Sequence, residues 1–282
     1  MHYTITLTIA GSDPSGGAGI QADIKTMSAL GCYAAAVITS VTVQNTLGVE
    51  AVQAIRPDIV SGQIRAVLTD LHPRAIKIGM VNDRDTIHAI AAELHAYLDS
   101  NDRENNAARD YTPCSIIIDP VMVSTSGSRL MQSHALEIFK RELLPMADLL
   151  TPNIPEAEVL ADMEITDKPS MDEAAQRILA LGARAVLIKG GHIEGEKTDR
   201  LYGKRVQSYS TPPVNTRNTH GTGCTLSSAI ACYLACGTQL PQAIGKAKKY
   251  VTHALRSGAD VEIGSGHGPV DHFFNPHKLR KE

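Results

Sequence analysis

Between Asn218 and Ala229 the chain reads NTHGTGCTLSSA. Two glycines and a threonine lead into an apolar, helix-forming run, where free backbone N–H groups and the positive end of a helix receive an anion. Gly221, Thr222 and Gly223 are therefore a candidate anion hole for a transferring phosphoryl group. Cys224 follows directly. A thiol at a helix start has its pKa lowered from about 8.5, so part of it is thiolate and accepts a proton from a nearby hydroxyl. The competing readings are a helix entered through an ordinary glycine turn and a buried structural cysteine.

Two further segments carry chemistry. TPNIPEAE places Asn153 and Glu156 three residues apart at a helix start and facing the same way, an amide and a carboxylate suited to Mg²⁺ held partly through waters. Glu156 is equally acceptable as a first-turn residue beside the helix dipole. Lys189, at the end of VLIK and ahead of two glycines, is placed to reach phosphates as a point charge. There is no GxxxxGK[ST], which excludes a P-loop nucleotidase. GSDPSGGAG is not GxGxxG, and GxSxG is absent, so neither a dinucleotide site nor a serine hydrolase is indicated.

Such residues need a scaffold. Short apolar runs at Ile5 to Ala10, Ala34 to Ile38, Ala75 to Ile78, Ser115 to Ile118, Leu149 to Thr151 and Ala185 to Ile188 predict strands covered on both faces. Amphipathic stretches lie between them: Ala18 to Leu30 with Ile20, Ile24 and Met27 on one stripe, and Asp83 to Leu98 with Ile87, Ile90, Ala91, Leu94 and Leu98 on another. This alternation predicts an α/β fold, a mostly parallel sheet with helices on both faces. Ligands of open α/β sheets sit beyond the carboxyl ends of the strands, and there the sequence gathers GSDPSGGAG, Gly79 and Met80, Asp119 of DPVM, TPNIPE and KGGH. Lys197 to Thr211 predicts a hairpin or edge strands before the glycine motif, with two helices after it. Asp99 to Thr112 is polar and predicts an exposed loop.

Composition narrows the partners. The 282 residues fit one large domain, 1–282. Aromatics are 4% and acidic residues outnumber Lys and Arg by 30 to 27, so neither stacking on bases nor a basic field points to nucleic acid or an anionic membrane. The amino terminus has no signal-like pattern and no run approaches the roughly 20 apolar residues of a span, which predicts a cytoplasmic protein acting on a small molecule. Five scattered cysteines predict reduced thiols. Cys232, Cys236 and His220 do not have the spacing of a zinc site.

Taken together, AGSDPSGGAGIQADIKT, VTVQN, KIGM, DPVM, TPNIPEAE, KGGH, NTHGTGCTLSSA and GHGPVDHF resemble the ribokinase-like superfamily. Within it the chain resembles the hydroxymethylpyrimidine/phosphomethylpyrimidine kinases of thiamine biosynthesis, over about residues 4 to 276. The resemblance implies a three-layer α/β/α domain, a homodimer, and transfer of the γ-phosphoryl group of Mg-ATP to hydroxymethylpyrimidine and then to its monophosphate. It maps a catalytic cysteine to Cys224, where most sugar kinases of the superfamily have aspartate. The anion hole maps to Gly221, Thr222 and Gly223, the phosphate-contacting lysine to Lys189, and the metal-organising pair to Asn153 and Glu156. It maps the pyrimidine pocket to Gly11, Asp23, Gln44 and Met80, with Val121 beside them. Gln44 suits a ring nitrogen beside an exocyclic amine because its amide donates and accepts at once; Asp13 and Asp23 are placed to orient the hydroxymethyl group. Many relatives have a lysine where DPVMVSTSG has Thr125, which leaves the second phosphorylation to Lys189, Ser126 or a mobile loop. The alternatives are a pyridoxal kinase of the same superfamily, a non-catalytic pyrimidine-binding module and a hydrolase with Cys224 as nucleophile.

Overall fold

The computed structural model describes residues 1–104, 114–122, 130–131, 134–190 and 197–281. Its main sheet has eight strands. β1 (Ile5–Ala10) pairs in parallel with β2 (Tyr33–Ile38) on one side and, beyond an intervening hairpin of β3 (Ser40–Asn45) and β4 (Gly48–Ala54), with β5 (Ala75–Ile78) on the other. β6 (Ser115–Ile118), β7 (Leu149–Leu150) and β8 (Val186–Ile188) continue the parallel order. β9 (Lys197–Tyr202) and β10 (Gln207–Thr211) close that edge as an antiparallel pair, as the alternation of that segment predicts.

The two-residue period of the strands sorts their side chains between two helical layers. Leu7, Ile9, Ile76, Ile78, Ile116 and Ile118 enter one core, beneath α2 (Pro57–Leu71), α3 (Arg84–Glu104), a short α4 (Ala135–Ile138), α5 (Ile154–Ala161) and α6 (Lys168–Ala180). Each of those six side chains is at most 2% exposed, a burial worth about 1.5–3 kcal/mol apiece. Ala75, Ile117, Leu149 and Leu187 face the other core, under α1 (Gly19–Ala29), α7 (Thr222–Ala235) and α8 (Leu240–Ser257). This is the three-layer ribokinase-like arrangement.

Three local outcomes differ from the sequence expectation. The first six residues of the expected loop, Asp99 to Glu104, prolong α3, because DSNDRE has no Gly or Pro to stop a helix already under way; residues 105–112 lie outside the described residues, as does Thr125. The β3–β4 hairpin was not anticipated. SVTVQN and GVEAVQA do alternate, but Ser, Thr and Gln occupy the inward-facing positions, so the period carries little hydrophobic contrast. Finally, α1 turns Asp23 and Thr26 inward together with Ile20 and Met27, while Ile24 is only half-buried.

Candidate active site

The segments following β1, β5, β6, β7 and β8 meet the start of α7 around a cavity of about 400 Å³, a size typical of small-ligand sites. Gly221 caps α7 with φ 77°, and a Cβ there would strike the Gly17 carbonyl oxygen. A side chain would thus be both strained and excluded, and its absence lets the glycine motif lie directly on the loop after β1. No side chain caps α7. The Thr222 N–H reaches the Thr219 carbonyl oxygen at 3.3 Å, leaving the N–H groups of Gly223 and Cys224 as the helix-start donors open to an anion. Gly221, Thr222, Gly223 and Cys224 all line the cavity.

Cys224 is half-buried, and its ionisation departs from expectation. Burial pushes the thiol up to about 11; Lys77 opposes this, the carboxylates of Asp23 and Asp119 add to it, and the Gly19 N–H opposes it. Desolvation outweighs the helix terminus, so the sulfur is a neutral thiol at pH 7. Directly beneath lies an ion pair. Lys77 Nζ stands 2.9 and 2.8 Å from the two oxygens of Asp23, which also accept hydrogen bonds from Thr8 Oγ1 at 2.6 Å and Ser228 Oγ at 2.7 Å. Asp23 and Lys77 are both 0% exposed. Asp23, expected at the substrate, is therefore absent from the cavity wall: it spends its acceptors on Lys77 and on Ser228, one turn below Cys224.

A second charged group lies at the ends of β6, β7 and β8. Lys189 Nζ is 2.9 Å from Asp119 Oδ1 and 4.0 Å from Glu156 Oε2. Asp119 is further held by Thr151 Oγ1 at 3.1 Å. Burial raises the Asp119 pKa, but Lys189 and Lys77 overcome it and the carboxyl lies below its ordinary value. Glu156 goes the other way: burial raises it, Lys189 only partly offsets this, and Asp119 raises it further. One ammonium thus faces two carboxylates. Asn153 and Glu156, expected to act on a metal, first of all cap α5. Asn153 Oδ1 accepts from the Glu156 N–H at 2.9 Å, and Glu156 Oε2 accepts from the Asn153 N–H at 2.9 Å, a reciprocal capping box. Both still border the cavity.

Gly11, Gln44, Met80 and Val121 line the cavity near the β1 loop. A Cβ at Gly11 would collide with the Met80 methyl group, so that glycine admits the methionine across it. Gln44 comes from the hairpin, whose tip is tied down where Gly266 N–H and His267 N–H donate to Thr46 Oγ1 and Thr46 O at 3.1 and 3.0 Å. Sequence reasoning missed the pairing of Asp13 with His220, 2.8 Å apart, and of Lys248 with Asp199, 2.6 Å apart. All four line the cavity. His220 adjoins the glycine motif and was at hand; Lys248 lies on a helix rich in lysines, which carries no signal of its own.

A parallel sheet with its ligand cavity beyond the strand ends, an open helix start and a lysine among carboxylates defines the class of ribokinase-like small-molecule kinases. The structure of Staphylococcus aureus pyridoxal kinase in complex with AMP-PCP and pyridoxal shares this fold with a TM-score of 0.83 and 29% identity, over 97% of this chain and 94% of that one. The family model for phosphomethylpyrimidine kinase matches residues 13–271, and the chain belongs to that family. It is 48% identical to the hydroxymethylpyrimidine/phosphomethylpyrimidine kinase of Rhizobium meliloti, over 95% of this chain and 97% of the relative. To the thiamine biosynthesis bifunctional protein ThiED of Geobacter sulfurreducens it is 44% identical over 97% of its length, spanning 53% of that longer protein.

Proposed function

We propose that this kinase transfers the γ-phosphoryl group of ATP to the hydroxymethyl group of 4-amino-5-hydroxymethyl-2-methylpyrimidine, and then phosphorylates the resulting monophosphate. The observation that carries the reading is one cavity bordered both by Gln44 and Met80 and by the open start of α7 with Cys224. The amide of Gln44 pairs with a ring nitrogen and its neighbouring amine, Met80 lies against the ring, and the acceptor oxygen comes to rest beside the Cys224 sulfur. Lys189 and the N–H groups of Gly223 and Cys224 stabilise charge on the transferring group. Because such transfers pass through a loose transition state, positioning and charge stabilisation contribute more than base strength. That accords with a thiol held mostly neutral: the neutral sulfur orients the hydroxyl, and the minor thiolate form is the one that takes up the alcohol's proton, late in the transfer.

Mg²⁺ fits the carboxylate end of the cavity. Asp119 and Glu156 share the Lys189 ammonium at that end, and no group of three or more His, Cys, Asp or Glu side chains among the described residues is arranged to hold a bare ion. Glu156 and Asn153 would hold a hydrated Mg²⁺ that arrives with the nucleotide, and the ion would neutralise phosphate charge. Thr211, Leu226, Val251 and Leu255 supply an apolar wall for adenine, with Lys248 beside it.

The reading includes a homodimer in the cytoplasm. Val41, Val43, Leu47 and Val52 of the hairpin are 47, 55, 67 and 39% exposed, an apolar surface that a second copy would cover, and sedimentation tests it. No helix among the described residues is long and apolar enough to cross a membrane. Coupled ADP release with hydroxymethylpyrimidine, its monophosphate and pyridoxal side by side tests the substrate. Turnover of pyridoxal alone would favour the other vitamin kinase.

A further inference from the structure

We propose that Lys77 is a positioning residue for phosphoryl transfer: its ammonium, locked beneath Cys224 by Asp23, stabilises the anionic sulfur that takes up the acceptor's proton. The inference deepens the proposed reaction and rests on it for the role of Cys224. Hydrogen bonds join the buried pair to the helix that carries the sulfur. Ser228 stands four residues after Cys224, on the same face of α7 and one turn deeper, and its Oγ donates to Asp23 Oδ1 at 2.7 Å. Lys77 Nζ in turn lies 2.9 and 2.8 Å from the two Asp23 oxygens. The ammonium also lies against the backbone that leads to the cavity: a Cβ at Gly79 would come within 2.6 Å of Nζ, and the next residue, Met80, lines the cavity wall.

The two charges of the pair do not cancel at the sulfur. Asp23 divides its charge among Lys77, Thr8 and Ser228, whereas the ammonium has no hydrogen-bond acceptor but Asp23 among the described residues. Burial alone would neutralise the amine, but Asp23 first, and Cys224 and Asp119 after it, hold it above its ordinary value, so it is charged at pH 7. At Cys224, burial disfavours the thiolate most; Lys77 is the strongest of the charged groups and favours it, and Asp23 and Asp119 follow with the opposite sign. Lys189 is a second ammonium on which this sulfur acts. With both members 0% exposed, the field of the pair is little screened by water. In the transfer the acceptor's O–H bond breaks and an S–H bond forms, while the oxygen bonds to phosphorus and the bond from phosphorus to ADP breaks. One negative charge thus leaves the sulfur for the phosphate groups. A fixed cation beneath the sulfur raises the share of thiolate from which that sequence starts, without touching acceptor or nucleotide.

The test uses two neutral replacements of the pair, Lys77→Met with Asp23→Asn and Lys77→Gln with Asp23→Asn, each checked for folding by its urea midpoint. The first arm needs no substrate. Alkylation of Cys224 by iodoacetamide at pH 9, read by peptide mapping, should be about threefold slower in both variants than in wild type: a tenfold fall in thiolate, for a thiol raised by about one pH unit, is partly offset by the greater nucleophilicity of a more basic sulfur. A merely loosened site would label faster, so unchanged or faster labelling overturns the proposal. The second arm reads coupled ADP release. The kcat should fall about three- to fivefold with KM for hydroxymethylpyrimidine unchanged, and the same substitutions placed in Cys224→Ala should leave its residual kcat unaltered. Equal falls in both backgrounds would show that Lys77 does not act through the sulfur and would sink the proposal. Near-normal turnover of Cys224→Ala would instead sink the catalytic reading of the cysteine, leaving the alkylation arm to judge what Lys77 does to the thiol.

Discussion

The ammonium of Lys189 lies 2.9 Å from Asp119 and 4.0 Å from Glu156, a single cation serving two buried carboxylates at the ends of three adjacent strands. Replacing it by Met removes both that compensation and the point charge intended for phosphate. Lys189→Met should lower kcat about 10²–10³-fold, the range seen when one donor to a developing anion is lost, while the dissociation constant for the pyrimidine, measured calorimetrically, changes little. Unaltered nucleotide kinetics would remove Lys189 from the phosphate site.

Cys224 offers a prediction about pH. Its thiol lies near 11 because burial disfavours the thiolate, so below that value the thiolate fraction grows tenfold per pH unit. If proton uptake by the sulfur limits turnover, log kcat should climb with a slope near one between pH 7 and 9. Cys224→Asp, ionised throughout, should flatten that profile. Cys224→Ala should cut kcat about 10²–10⁴-fold with pyrimidine binding preserved, and near-normal turnover would end its assignment.

The Asp23–Lys77 pair is a matter of stability first. Lys77→Met strands a carboxylate with no exposure, at a cost of about 3–5 kcal/mol, visible in the urea midpoint. Lys77→Met with Asp23→Asn should recover most of it, because two neutral groups of similar size no longer need each other. If the double variant were as unstable as the single one, packing and not charge would be the cause.

His272 makes folding acid-sensitive. Burial first, then the positive charge of Lys25, holds its imidazole down to about 4, while the unfolded chain takes up that proton near 6.5. Its folded pKa is thus depressed: stability is fully present above about pH 6.5 and falls as the pH drops toward 4. The loss between pH 7.5 and 5 is about 2 kcal/mol. Urea titrations at both values should show it, and His272→Gln should reduce it.

How much was legible in the sequence varies from residue to residue. Strand positions were: Ile116, Ile117 and Ile118 form a continuous apolar run of the kind a doubly covered strand produces, and Ile76 and Ile78 sit in a short β-branched run broken only by Lys77. The glycine turn that opens α7 was too, since a left-handed backbone at Gly221 packed on Gly17 leaves a glycine as the only occupant. Charge states were not. The helix-start argument for Cys224 is local, whereas the field at its sulfur comes from burial and from Lys77 and Asp23, 147 and 201 positions away in the sequence. Asp23 has the spacing of a surface or substrate residue; only the packing of α1 against β1, β2 and α7 buries it on Lys77 and Ser228. The pairing of Asp13 with His220 likewise spans 207 residues. Covalent order determined which backbone shapes and apolar stripes this chain can form, because those depend on neighbours. Which charges face one another, and how much water they keep, was decided when distant segments met at the ends of the strands.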